Sequence, residues 1–163
     1  MKHFLILTLL SFLAACHFGR DKDDLSGISS LPSFNIQLLD STTLFNSRQI
    51  STGSPIVVVY FRPDCPHCQQ ETKDFIAHMN ALKDFKIYLL TGAELNEIRE
   101  FVRNFHLEHY QNVTVGKDHN HSFKSIFKPS SIPYLAIYDK DKQLIRIYDQ
   151  EVPVEMLLKT ARG

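Results

Sequence analysis

Val57-Val58-Val59-Tyr60-Phe61-Arg62-Pro63-Asp64-Cys65-Pro66-His67-Cys68 is the stretch that decides the fold. Ile56 to Phe61 is a β-branched, apolar run, as a strand buried on both faces in the middle of a parallel sheet requires. Arg62-Pro63-Asp64 interrupts it, and a Cys-x-x-Cys pair follows at once. Phe75, Ile76, Met79 and Leu82 then fall at helical spacing, so a helix is expected to open in or just after the pair.

That order puts Cys65 at a helix N-terminus. Unpaired backbone N–H groups and the positive dipole end favour a negatively charged sulfur there. Cys68 lies one turn further on the same helical face, within reach of a mixed disulfide formed on Cys65. The expected division of labour is Cys65 as nucleophile and Cys68 as resolving thiol. Pro66 stiffens the first turn. His67 adds a donor, and a positive charge when protonated, near the Cys65 sulfur. Both favour the reduced form and make the pair a better oxidant. Asp64 acts the other way, because a carboxylate beside a thiolate repels it. The chemistry calls for no cofactor beyond a redox-active Cys65–Cys68 disulfide, and no metal.

Working outward, the elements alternate. Phe34 to Leu38 and Thr43-Leu44-Phe45 read as an N-terminal β-hairpin about the turn residues Asp40-Ser41-Thr42. Downstream of the motif come a strand at Phe85 to Leu90 and an amphipathic helix marked by Leu95, Ile98, Phe101, Val102 and Phe105. A short strand at Asn112 to Val115 and a helical turn or two around Ser122 to Phe127 follow. Tyr134 to Tyr138 and Leu144 to Tyr148 form a second hairpin. Pro153 suits the first turn of a final helix containing Met156, Leu157 and Leu158. The expected fold is α/β, with a mixed sheet flanked by helices.

The 163 residues suffice for one domain. Composition is ordinary for a globular protein, with 44% hydrophobic and 22% charged residues, so disorder is not indicated. Lys+Arg and Asp+Glu balance at 18 each, which leaves no basic excess to collect phosphates and excludes nucleic acid as an expected partner.

Residues 1–15 read as a signal peptide. Lys2 and His3 precede an apolar run from Phe4 to Leu13, too short to span a bilayer. Leu13-Ala14-Ala15-Cys16 resembles the bacterial lipobox, which implies a lipid on Cys16. Residues 16–30 read as a polar tether and 31–163 as the folded domain. The domain would then work in the cell envelope, facing the periplasm or the exterior, where disulfides persist.

The strand, the Cys-x-x-Cys pair and the helix, together with Ser131-Ile132-Pro133 just before the strand at Tyr134, resemble the thioredoxin superfamily. The resemblance implies a three-layer thioredoxin-like fold, a cis peptide bond before Pro133, and substrate pairing by the backbone of Ile132. The N-terminal hairpin and the lipobox are similar to the membrane-tethered TlpA/ResA branch, whose members commonly reduce exported disulfides or serve cytochrome c maturation. Implied partners are exported proteins with thiols or disulfides, a membrane redox protein that recharges the dithiol, and the membrane itself through the lipid. The Cys-Pro-His-Cys tetrapeptide is the one that DsbA-type oxidases carry. Those enzymes insert a helical domain between the motif and the cis-proline, and the interval from Cys68 to Pro133 has no room for it. The architecture therefore leans toward a reductase and the tetrapeptide toward an oxidase.

Two positions depart from the thioredoxin pattern. Asp64 stands where Trp is usual, and Val59 stands where a buried Asp normally accepts the proton of the second cysteine. That acceptor is missing here, or is supplied from elsewhere. A peroxiredoxin site would want Thr or Ser at Arg62, and a Sco-type copper chaperone would want Cys-x-x-x-Cys. The competing class is a zinc or copper module completed by His119 and His121, in a polar loop, Gly116 to His121. A structural disulfide across so short a loop would contribute little.

Overall fold

The computed structural model describes residues 27–162. The expected signal peptide, Cys16 and most of the expected tether lie outside them. Ser29 and Ser30, expected at the end of the tether, are joined to the domain: the Leu144 N–H donates to the Ser29 carbonyl, and Ser30 bridges to Gln143.

Seven strands form one mixed sheet: β1 (Asn35–Gln37), β2 (Leu44–Asn46), β3 (Ile56–Tyr60), β4 (Lys86–Thr91), β5 (Val113–Asp118), β6 (Tyr134–Tyr138) and β7 (Leu144–Tyr148). Their order across the sheet is β2-β1-β5-β4-β3-β6-β7. β3 pairs parallel with β4 and antiparallel with β6, and β4 pairs parallel with β5. The two expected hairpins are β1–β2 and β6–β7. Four helices accompany the sheet: α1 (Pro66–Ala77), α2 (Leu95–Asn104), α3 (Ser122–Phe127) and α4 (Val154–Arg162). The fold is thioredoxin-like α/β.

Alternation along β3 explains why its run is apolar throughout. Val57 and Val59 face a core built with Phe75 of α1, Ile98 and Phe101 of α2, and Leu157 of α4. Ile56, Val58 and Tyr60 face a second core with Phe34, Phe123 and Phe127. Both sides of the strand are thus covered, and every residue of β3 is buried.

Three sequence expectations change. Met79 and Leu82 lie beyond α1, which ends at Ala77. The Leu82 N–H still donates to the His78 and Met79 carbonyls, so a frayed turn carries Leu82 into the core at helical spacing. Gly116, Lys117 and Asp118 are strand rather than loop, because β5 continues to pair with β1 at Lys117 and Asp118. Pro153 precedes the last helix rather than lying in its first turn, and its carbonyl accepts the Met156 and Leu157 N–H groups.

Candidate active site

Cys65 is the N-cap of α1, in extended conformation (φ −82°, ψ 118°), and Pro66 follows at the first helical position. The Cys65 Sγ accepts the N–H of Cys68 at 3.4 Å, and the Cys65 carbonyl accepts the N–H of Gln69 at 3.0 Å. The capping role that Ser or Asp usually fills is taken by sulfur. Both cysteines are free thiols. Cys65 is half-buried, and Cys68 is buried behind it. Burial pushes the Cys68 thiol up to about 12, with the Cys65 sulfur and Glu71 adding to the shift. One sulfur can meet a partner, and the other waits protonated in the interior.

The neighbours of the pair are not placed as sequence alone suggests. Asp64 is ion-paired with Arg62, whose Nε donates to Oδ1 at 3.0 Å and whose Nη2 meets Oδ2. The guanidinium holds the Asp64 carboxyl below its usual range. The repulsion expected from Asp64 on Cys65 is offset by this partner, and both side chains are exposed. The His67 Nδ1 is engaged by Glu151 Oε1 from the loop after β7, so that nitrogen is not a donor to Cys65. The donor that the Cys65 sulfur receives is the backbone N–H of Cys68.

The Ile132–Pro133 peptide is cis. Pro133 is buried and lines a cavity of about 280 Å³ together with His67, Ile132 and Glu151. The structure thus places Ile132 and Pro133 in one cavity with His67, which lies between Cys65 and Cys68 in the first turn of α1; Pro66 and Asp64 flank the same segment. Among the described residues, neither His119 nor His121 forms a metal-binding group with the cysteines. Among the described residues, the one group of three or more side chains placed to share a metal ion is His106, Glu108 and His109, all exposed.

Sequence reasoning missed Glu71. This carboxyl lies one turn beyond Cys68 on α1 and is 2% exposed. The Val152 N–H donates to its Oε2 at 2.9 Å, while Oε1 has no hydrogen-bond partner among the described residues. Burial raises the carboxyl to about 8, with the charges of Glu151 and Asp74 adding to the shift and the Val152 bond opposing it. A group of that strength gains and loses a proton near neutrality. The signal was available: Cys68, Glu71, Thr72 and Phe75 form one inward stripe at spacings of three and four.

A central strand leading into a Cys-x-x-Cys helix cap, with a cis-proline loop beside it, defines the thioredoxin-like class. No family model matches the chain. The chain is 28% identical over 136 residues to the methylamine utilization protein MauD of Methylobacillus flagellatus, a match covering 80% of this chain and 62% of that protein. Against the protein of the same name from Methylophilus methylotrophus the identity is 23% over 133 residues, covering 80% and 60%. The chain thus spans less than two thirds of the length of either curated relative. Among solved structures it superposes on MTB DsbF, solved in mixed oxidized and reduced forms, with TM-score 0.66 and 19% identity, covering 79% of this chain and 92% of that one. A secreted Mycobacterium tuberculosis disulfide oxidoreductase homologous to E. coli DsbE gives TM-score 0.65 at 17% identity, covering 79% and 94%. A putative electron transfer protein from Aquifex aeolicus VF5 gives 0.68 at 14%, covering 83% and 92%. These structural likenesses establish the thioredoxin-like fold.

Proposed function

We propose that the chain is an extracytoplasmic thiol:disulfide oxidoreductase that exchanges disulfides with exported proteins, running chiefly as a reductase. The observation that carries this reading is the asymmetry of the two sulfurs. Cys65 is accessible and capped by an N–H donor, and Cys68 is buried with a titratable carboxyl one turn away.

In the reductase direction the Cys65 thiolate attacks a substrate disulfide, and the first substrate sulfur leaves as a thiolate. Cys68 gives its proton to the Glu71 carboxylate and attacks the Cys65 sulfur. The second substrate sulfur leaves, and a Cys65–Cys68 disulfide remains. Two electrons have passed from the dithiol to the substrate, and the reverse sequence oxidises. Ile132 and Pro133 border the approach to Cys65, and the Ile132 backbone is the pairing edge for the substrate chain. A membrane redox protein recharges the dithiol. A lipid on Cys16 would hold the domain at the membrane, and Cys16→Ala should release the protein from the membrane fraction.

The test is a Cys68→Ser variant exposed to envelope proteins. It should accumulate mixed disulfides through Cys65 that reductant releases. A variant that traps nothing, in a wild type that cannot reduce insulin, would sink the reading. Direction is read from the Cys65–Cys68 reduction potential: a reductase lies nearer ~−270 mV, as thioredoxin does, than ~−120 mV, as DsbA does.

A further inference from the structure

Two cavities flank the loop that carries the cis-proline, and Ile132 is the wall they share. The smaller, described above, is bordered by His67, Asp149 and Glu151. The larger, about 500 Å³, opens on the Asp64 side of Cys65 at the C-terminal ends of β3 and β4. Tyr60, Gly92, His121 and Lys124 line it. A polypeptide passing Cys65 along the Ile132 backbone has one cavity on either side.

The larger cavity has a directional charge. Its lining holds five ionisable groups besides Tyr60: Arg62, Asp64, Glu97, His121 and Lys124. Arg62 and Asp64 satisfy one another. The Glu97 carboxylate, also in the lining, accepts the Glu94 N–H at 2.9 Å through Oε2 at the start of α2. The side chains of Lys124 and His121 have no ion pair or hydrogen bond to another described residue. Beneath them the Tyr60 hydroxyl is close to Gly92. In the smaller cavity Glu151 is engaged by His67, which leaves the Asp149 carboxylate at its edge without a cationic partner in the lining.

The depth of the larger cavity depends on Gly92. A β-carbon there would stand 3.2 Å from the Tyr60 hydroxyl and 3.4 Å from His121 Cε1. Any side chain at that position fills the space between the two aromatic groups.

From this arrangement we infer that the larger cavity receives an acidic side chain of the substrate, from a residue close to the cysteine that Cys65 attacks. Lys124 supplies the countercharge, and His121 and Tyr60 supply hydrogen bonds. The inference rests on the oxidoreductase reading and adds to it a substrate class and an orientation. An acidic neighbour must point to the Lys124 side, because the other side presents the Asp149 carboxylate.

Peptide homodimers joined by one disulfide provide the test, with Glu, Gln or Lys placed within three residues of the cysteine. Reduction by the dithiol form yields two peptide thiols and the Cys65–Cys68 disulfide. The small compound 2-hydroxyethyl disulfide, which carries no charge and no side chain, serves as reference. With wild type at low salt, the Glu peptide should react roughly tenfold faster than the Lys peptide, with Gln between. Lys124→Glu, an exposed change, should reverse that order and leave the reference rate unaltered. Gly92→Val should slow the Glu peptide most and so narrow its advantage over the Lys peptide. Equal rates for the three peptides, or a Glu preference that survives Lys124→Glu, overturns the inference. Failure to reduce even the reference disulfide overturns the oxidoreductase reading instead.

Discussion

The backbone N–H of Val152 donates to Glu71 Oε2 at 2.9 Å and ties the loop after β7 to the helix that carries both cysteines. The bond satisfies one oxygen of a buried carboxyl. The other oxygen has no hydrogen-bond partner among the described residues, and Cys68 lies one turn away on the same helix.

Glu71 makes stability depend on pH with a definite sign. Its carboxyl rises from 4.5 to about 8 on folding. Below pH 4.5 both states hold the proton, and burial of the neutral acid costs little. Between 4.5 and 8 the unfolded chain ionises while the native one does not, so stability falls as pH rises. Glu71→Gln should remove that slope. The variant should match wild type in pH dependence below pH 4.5 and gain on it by ~3–5 kcal/mol at pH 9, read from urea melts of the oxidised form. Parallel curves for the two proteins would show that Glu71 is ionised in the native state. The variant should also resolve mixed disulfides more slowly, because Cys68 loses its proton acceptor.

Glu71 also marks where sequence reading reached its limit. The Ile56–Phe61 run and the cysteine spacing specify the central strand and the helix cap without help, because an apolar period and a cap are local properties. A charged residue on an inward stripe is read outward by default, since Glu is almost never fully buried unless paired. Its partner is the N–H of Val152, 81 positions away, and no local pattern announces that bond. His67 is a similar case: its engagement by Glu151 joins residues 84 positions apart. The polarity of Lys117 and Asp118 points to loop, yet they end a strand. There the compensation lies five and six residues on, in the backbone N–H groups of Phe123 and Lys124.

His67 and Glu151 should act on the redox potential as a unit. Replacing His67 by Gly removes a group that can carry positive charge beside the dithiol, and the potential should move more negative by ~30 mV, a tenfold change in the equilibrium with glutathione. Glu151→Gln should shift the potential in wild type and have a smaller effect in the His67→Gly background. Equal effects of Glu151→Gln in both backgrounds would show that the carboxylate acts on the sulfurs directly and not through the imidazole.

Gly116 should tolerate no side chain. Within β5 it pairs with Leu90 of β4, and a β-carbon there would clash with Ile36 Cγ2 and stand 2.7 Å from the Gln37 carbonyl oxygen. The second contact is backbone and cannot rotate away. Gly116→Ala should push β1 from β5 and cost ~1–3 kcal/mol. The redox pair, held by β3 and α1, should keep its reactivity toward a small disulfide. A denaturation midpoint equal to wild type would mean that the hairpin shifts without loss.

Asp118 tests whether the larger cavity beside Cys65 depends on a buried cap. Its carboxylate is 1% exposed and accepts the N–H groups of Phe123 at 2.8 Å and Lys124 at 3.0 Å, with the Ser122 hydroxyl at 3.1 Å. Three donors converge on it from the start of α3, a helix of six residues that could not hold its first turn by propensity alone. Asp118→Ala leaves the two N–H groups buried and unpaired and should cost ~2–4 kcal/mol. Asp118→Asn keeps one oxygen acceptor and should cost about half as much. Because His121 and Lys124 enter the cavity from this same turn, the alanine variant should also lose discrimination between acidic and basic peptides while still reducing 2-hydroxyethyl disulfide. Discrimination retained in a destabilised Asp118→Ala protein would show that Lys124 reaches its position without the cap.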